Sequence, residues 1–221
     1  MKNSLLIFDI DGTLTESETS HIDSFVSGMA DLGIDVPLTN PEIYPHVTDS
    51  AISKFHFEKS RGVIPNEIDM QDIEQRVMAH YMDKPTANQV SGASNFLKFV
   101  TDNNIPYCFA TGSFYSLAIE KLNKVNINYD VNLLATAQDG DSREEILYSG
   151  IARAKSRFNV ADEPTIVSFG DGIWDLKTAK NMDLNFVGIG HKINYLKSKG
   201  AEHCFENFSS ITCQQIVDLF R

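Results

Sequence analysis

Short apolar runs alternate along the chain with segments whose apolar residues recur every three or four positions. The runs cover residues 5–10, 107–111, 131–136, 165–170 and 186–190, and Gly, Asp, Asn or Thr bounds most of them. Their length and content predict buried strands. Between them, Ala93, Phe96, Leu97 and Val100 form one helical stripe. Phe114, Leu117, Ala118, Leu122 and Val125 form a second, and Leu147, Ile151, Ala154 and Phe158 a third. Strand alternating with helix predicts an α/β fold, a parallel sheet with helices on both faces. Ligands of such sheets bind outside the carboxyl ends of the strands.

The first two strands are separated by more than one crossover needs. Residues 16–89 carry stripes of their own, Ile22, Phe25, Val26, Met29 and Leu32, then Met70, Ile73, Val77 and Tyr81. Ser20 followed by Asp23 resembles a capping box for the first of these. Asp49 is placed to cap a further helix through about residue 59. A structureless loop of this length is improbable, so the segment reads as an inserted α-helical cap. The division expected is an α/β core of residues 1–15 and 90–221, with a cap at 16–89.

Composition narrows the function. The chain has 221 residues, 42% hydrophobic and 22% charged, with a net charge of −11, the profile of an ordinary globular protein. The negative balance argues against nucleic-acid phosphates or an anionic membrane as partner. The apolar run near Lys2 ends at Asp9, too short for a signal sequence or a membrane span. Cys108, Cys204 and Cys213 lack metal-ligand spacing, and an odd count without a framework suits a reducing cytosol. A cytoplasmic location is therefore expected.

The chemistry is concentrated at predicted strand ends. Asp9 and Asp11 follow the first strand and precede Gly12. Two acids crowded at a strand tip repel, and a divalent cation or a shared proton relieves this. Thr111-Gly112-Ser113 ends the second strand, and Gly170-Asp171-Gly172-Ile173-Trp174-Asp175 ends the fourth. In a parallel sheet all of these meet at one edge. The set suits phosphoryl transfer to a carboxylate nucleophile, with an oxygen-rich Mg²⁺ site, donors for phosphate at a helix start, and a second acid for proton transfer.

The three motifs, Asp9-x-Asp11-Gly12-Thr13, Ala110-Thr111-Gly112-Ser113 and Gly170-Asp171-x-x-x-Asp175, together resemble the haloacid dehalogenase superfamily. The insertion between the first two matches its capped phosphoglycolate phosphatase and phosphoglucomutase-like branch. The resemblance covers the whole chain and implies a Rossmann-like core. It implies Asp9 as nucleophile, Asp11 as general acid/base and Thr111 as the phosphate-binding hydroxyl, with Gly112 and Ser113 offering main-chain N–H groups. It implies Asp9, the main-chain carbonyl of Asp11, and Asp171 as Mg²⁺ ligands, and Asp175 as a ligand or an anchor for one. Pro45-His46-Val47-Thr48-Asp49-Ser50 resembles the cap loop that reads substrate, which makes His46, Thr48 and Asp49 candidates for substrate binding. Trp174 stands where the family often has Asn.

The family also places a cation at the start of the helix before the fourth strand, and here Arg143 and Lys155 compete. The helix is expected over about 143–158, starting at the active edge. Lys155 then lies roughly 18 Å down the axis at ~1.5 Å per residue, beyond reach, so Arg143 is expected to face the phosphate. His21, His56, His80, His191 and His203 show no ligand spacing and are expected to be structural or solvated. The activity implied is Mg²⁺-dependent hydrolysis of a small phosphorylated metabolite through an aspartyl phosphate. A sugar phosphomutase on the same fold is the alternative. From other classes, a phospho-accepting signalling module and a silent binding protein are rivals. The sequence does not name the substrate or the oligomeric state.

Overall fold

The computed structural model describes residues 4–37, 43–85, 87–160, 163–212 and 215; Cys213 lies outside them. Six strands form one parallel sheet: β1 (Ser4–Phe8), β2 (Tyr107–Ala110), β3 (Leu134–Ala135), β4 (Thr165–Gly170), β5 (Asn185–Ile189) and β6 (His203–Phe205), in the spatial order β3-β2-β1-β4-β5-β6. Five of these are the expected runs. The third is much shorter than expected, because Val131–Leu133 is a turn of 3₁₀-helix started by the Asp130 side chain, which accepts the Asn132 N–H at 2.9 Å. The sixth was not expected; three residues opened by a His carry no periodic signal.

Strand β1 is buried on both faces, and its side chains alternate between two cores. Leu6 and Phe8 join Phe109, Val167 and Phe169 against α4 (Ala93–Asp102) and α5 (Tyr115–Lys124). Leu5 and Ile7 join Cys108 and Ala110 against α6 (Arg143–Phe158). Phe8 and Phe169 stack with centroids 5.0 Å apart. Burial lifts the Cys108 thiol to about 12, an inert core thiol. Helices α7 (Ile173–Asn181) and α8 (Ile193–Ser198) pack with Phe186 in a further core.

Among the described residues three helices precede α4 on the path from β1 to β2: α1 (Glu18–Ala30), α2 (Asp49–Arg61) and α3 (Glu67–Met82). Phe25 and Met29 of α1 pack on Ile73 and Val77 of α3, and Phe114 and Leu117 at the start of α5 complete that core. Helices α1 and α3 meet at Gly28, where a Cβ would stand 2.6 Å from the Val77 backbone nitrogen. Two helix starts differ from expectation. Helix α1 begins after Ser17, not Ser20, and its cap hydroxyl makes no capping bond. Helix α2 is capped by Thr48, whose hydroxyl accepts the Ala51 N–H at 3.2 Å. The hydroxyl of Ser17 and the carboxylate of Asp49 are both engaged elsewhere, in the site described next.

Candidate active site

Register brings the motifs together. Phe8 is level with Phe109 on one side and Phe169 on the other, so Asp9, Thr111 and Asp171 emerge side by side just past the strand ends. This is where the strand order reverses, the usual ligand position in such sheets. The Asp9 N–H still donates to the Phe169 carbonyl at 3.0 Å. The chain then turns sharply, with Leu14 and Thr15 N–H groups donating to the Ile10 carbonyl at 2.9 and 3.0 Å. Gly12 sits in this turn at φ +74°, and a Cβ there would stand 2.4 Å from Asp171 Oδ2. Glycine meets both demands.

Asp9, Asp171 and Asp175 each present a carboxylate oxygen within 4.8 Å of the others, and all three are buried. Arg143 lies among them. Its Nη1 donates to Asp9 Oδ1 at 3.2 Å and to Asp175 Oδ1 at 2.9 Å, and its Nε to the Val47 carbonyl at 3.1 Å. Asp175 Oδ2 accepts the Gly172 N–H at 3.0 Å. Lys192 donates to Asp171 Oδ2 at 2.9 Å and also to Glu18, and its Nζ stands 5.3 Å from the Trp174 ring centroid. Burial, with repulsion from Asp175, holds the Asp9 carboxyl well above its usual range despite Arg143. Burial raises Asp171 to about 7 against the pull of Lys192. Buried, mutually repelling carboxylates of hard oxygen character suit a small divalent cation such as Mg²⁺. Arg143 is at the site and at the helix start; Lys155 is in the last turn of α6.

The Asp11 side chain stands outside that cluster. Its Oδ1 accepts from Ser17 Oγ at 2.5 Å, and its Oδ2 from Ser113 Oγ at 2.8 Å and Lys121 Nζ at 2.6 Å. Lys121 is fully buried and also meets Ser113 Oγ and His21 Nδ1, each at 2.7 Å. With Lys121 as an ammonium, Nδ1 accepts, which leaves His21 Nε2 as donor to Asp49 Oδ1 at 3.0 Å. Burial raises the Asp11 carboxyl, but the Lys121 charge and the hydrogen bonds from Lys121 and Ser17 outweigh it and leave the group far below its usual range. In this arrangement Asp11 is ionised, the state of a base; a proton on it has to displace the Lys121 contact.

Thr111 is buried at the cavity wall, and its Oγ1 accepts the Ser113 N–H at 3.2 Å. That N–H, expected to meet phosphate, is therefore engaged within the chain. Gly112 lies against Arg143, where a Cβ would stand 3.0 Å from its Nε. The cap candidates separate. His46 is exposed and lines a shallow neighbouring hollow rather than the cavity of the acids. Thr48 and Asp49 do line that cavity, but their side chains tie the start of α2 to the segments that precede α6 and α5. Thr48 Oγ1 donates to the Asp141 carbonyl at 2.7 Å, and Asp49 Oδ2 accepts the Phe114 N–H at 2.8 Å. His21, expected to be structural, belongs to the site, as do Lys121 and Lys192. Lys121 had a signal: it falls on the apolar stripe of its helix, four residues after Leu117 and three after Ala118, where a lysine needs an acid. Lys192 had none.

Asp9, Asp11, Thr111, Arg143, Asp171 and Lys192 line a cavity of about 480 Å³ between the sheet edge and α1–α2, with Lys121 and Asp175 behind its wall. A larger surface hollow, about 680 Å³ and lined by Lys54, Glu74 and Gln138, contains none of the motif acids. A family model described as haloacid dehalogenase-like hydrolase matches residues 6–189. The chain belongs to that family. A haloacid dehalogenase-like hydrolase is an enzyme, and the sheet edge that carries the three motifs is its candidate active site. Comparison with curated proteins returns no match. Among solved structures, this hydrolase is similar to a hydrolase of family IA, variant 3 from Entamoeba histolytica (TM-score 0.73, 19% identity, 98% of this chain and 99% of that one). It is similar to a putative beta-phosphoglucomutase from Bacteroides vulgatus (0.72, 18%, 99% and 90%). It is also similar to CbbY from Rhodobacter sphaeroides in complex with phosphate (0.70, 18%, 95% and 96%). At these identities the likeness establishes the fold. Among the described residues no helix is long and apolar enough to cross a membrane.

Proposed function

We propose that this hydrolase is a Mg²⁺-dependent phosphatase acting on a small phosphomonoester. The observation that carries the proposal is the placement of Asp9. It sits at the mouth of β1, 3.2 Å from the Arg143 guanidinium and grouped with Asp171 and Asp175, on a cavity shared with Thr111 and Asp11. Asp9, Asp171 and Asp175 would hold Mg²⁺, with the Asp11 carbonyl as a further ligand; the bound ion offsets the negative charge of nucleophile and phosphate.

The chain's own groups divide the work. Arg143 and the Thr111 hydroxyl orient the phosphate. A carboxylate oxygen of Asp9 attacks phosphorus, the bond to the leaving oxygen breaks, and that oxygen takes a proton from Asp11, which first gains it from solvent in exchange for its Lys121 contact. Water then attacks the acyl phosphate, giving its proton to Asp11 and releasing phosphate. The helices of residues 16–89 act as a cap that keeps bulk water from the acyl phosphate. Removing the nucleophile tests the reading. Asp9→Asn keeps shape and loses the attacking charge, so turnover of p-nitrophenyl phosphate falls by several decades and no acid-stable, hydroxylamine-sensitive phosphoprotein forms. Near wild-type turnover in a contamination-free preparation overturns it.

The mutase reading keeps a specific support, since three of the similar structures are described as a beta-phosphoglucomutase, two of them as putative. Sugar phosphate isomerisation that depends on added sugar bisphosphate would establish it.

A further inference from the structure

We infer that the organic half of the substrate is apolar and about ring-sized, so that the enzyme hydrolyses an aryl or unhydroxylated alkyl phosphate rather than a sugar phosphate. The inference rests on the phosphatase reading and names the substrate class of that site. The cavity holds its charged side chains in pairs. Its basic side chains are His21, Arg143 and Lys192, and each is engaged there, by Asp49 and Lys121, by Asp9 and Asp175, and by Glu18 and Asp171. Among the described residues no further cation lines the cavity to hold a second phosphate, which a sugar bisphosphate would present.

Most of the remaining lining is apolar or aromatic: Ile22 and Phe25 of α1, Tyr44, Val47, Ile52 of α2, and Trp174. The polar groups on the cap side are turned to partners. Tyr44 OH meets His56 Nε2 at 2.7 Å, Thr48 Oγ1 donates to the Asp141 carbonyl, and both Asp49 oxygens accept bonds, from His21 and Phe114. A polyol bound here would lose water from several hydroxyls and find those groups already satisfied. Buried hydroxyls without partners are costly. An apolar group instead gains from leaving water in proportion to its area. A volume of about 480 Å³ accommodates a phosphate and one ring.

The test compares kcat/KM in Mg²⁺ for 2-phenylethyl phosphate and phenyl phosphate with that for glucose 6-phosphate, glucose 1-phosphate and phosphoglycolate. Acetyl phosphate serves as a minimal phosphoryl donor. The expected result is a preference of about a hundredfold for the apolar esters, the scale of discrimination that a shaped apolar pocket achieves. Ile22→Gln, at a position 39% exposed where folding is safe, and Ile52→Asn each reduce that preference about tenfold. Equal rates on both classes, a preference for sugar phosphates, or turnover that requires a sugar bisphosphate overturns the inference. Calorimetric titration with benzylphosphonate and with a phosphonate analogue of glucose 6-phosphate gives a readout independent of turnover. Tighter benzylphosphonate binding without turnover of any ester, acetyl phosphate included, supports the apolar pocket and removes the phosphatase reading. Equal binding of the two phosphonates overturns the inference.

Discussion

The Lys121 ammonium lies 2.6 Å from Asp11 Oδ2 with its own side chain wholly shielded from solvent. An acid of the first motif is thus fixed by a cation that arrives from the helix after the second. Charged groups this buried are stable only with well-formed bonds on both sides. Asp11 has them in Ser17, Ser113 and Lys121.

Lys121→Met removes the cation but keeps the volume. Breaking a buried pair costs about 3–5 kcal/mol, and a fall in Tm of several degrees is expected. The Asp11 carboxyl is depressed in the folded chain. Its contribution is therefore present above the unfolded carboxylate range and lost only as pH falls through the depressed folded value. Wild type should exceed the variant in Tm at both pH 7 and pH 5, with the gap closing only in strong acid. The variant's Asp11 titrates higher, so the acidic limb of its kcat/KM profile moves to higher pH. An unmoved profile would assign Lys121 a packing role alone.

Arg143→Ala leaves Asp9 and Asp175 without their shared cation and removes a fork suited to phosphate. Turnover should fall by orders of magnitude, whereas Lys155→Ala, at the far end of α6, changes it little. Steady-state kinetics on one substrate checks the pair, and the opposite ranking would remove Arg143 from the phosphate site.

Metal binding should depend on pH in a defined direction. Burial raises Asp171 to about 7 in the folded chain. With respect to this group the metal-free fold is most stable below the unfolded carboxylate value, near 3.9. It loses that stability as pH rises through about 7. Mg²⁺ binds the ionised form and offsets the loss. The rise in Tm on adding Mg²⁺ should be larger at pH 8 than at pH 6, which differential scanning fluorimetry with and without EDTA reads directly. An equal rise at both values would place the ion elsewhere.

The cap loop should divide by position. His46 is exposed and stands outside the cavity, so His46→Ala leaves all rates within about twofold, as surface changes generally do. Asp49 holds His21 and the Phe114 N–H. Asp49→Ala should therefore lower turnover on every substrate alike, rather than reorder preferences as the cap-loop resemblance suggested. A reordered substrate panel would return Asp49 to a reading role.

Sequence alone determined which segments are strand or helix wherever one period ran long enough, as in the β1 run and the α6 stripe. It also located the motif acids and put Arg143 at the start of α6 with Lys155 at its far end, because helix rise and direction are local geometry. It placed the edge strand His203–Phe205 nowhere, since three residues carry no period and pairing with β5 alone makes them a strand. It misplaced the start of α1, because local capping preference lost Ser17 to a longer-range bond with Asp11. What only the tertiary structure decided is who neutralises whom: Lys121 with Asp11 across 110 positions, Arg143 with Asp9 across 134, and His21 with Asp49. Charge pairing follows distance in space, and those distances exist only once the parallel register has set the strand tips side by side.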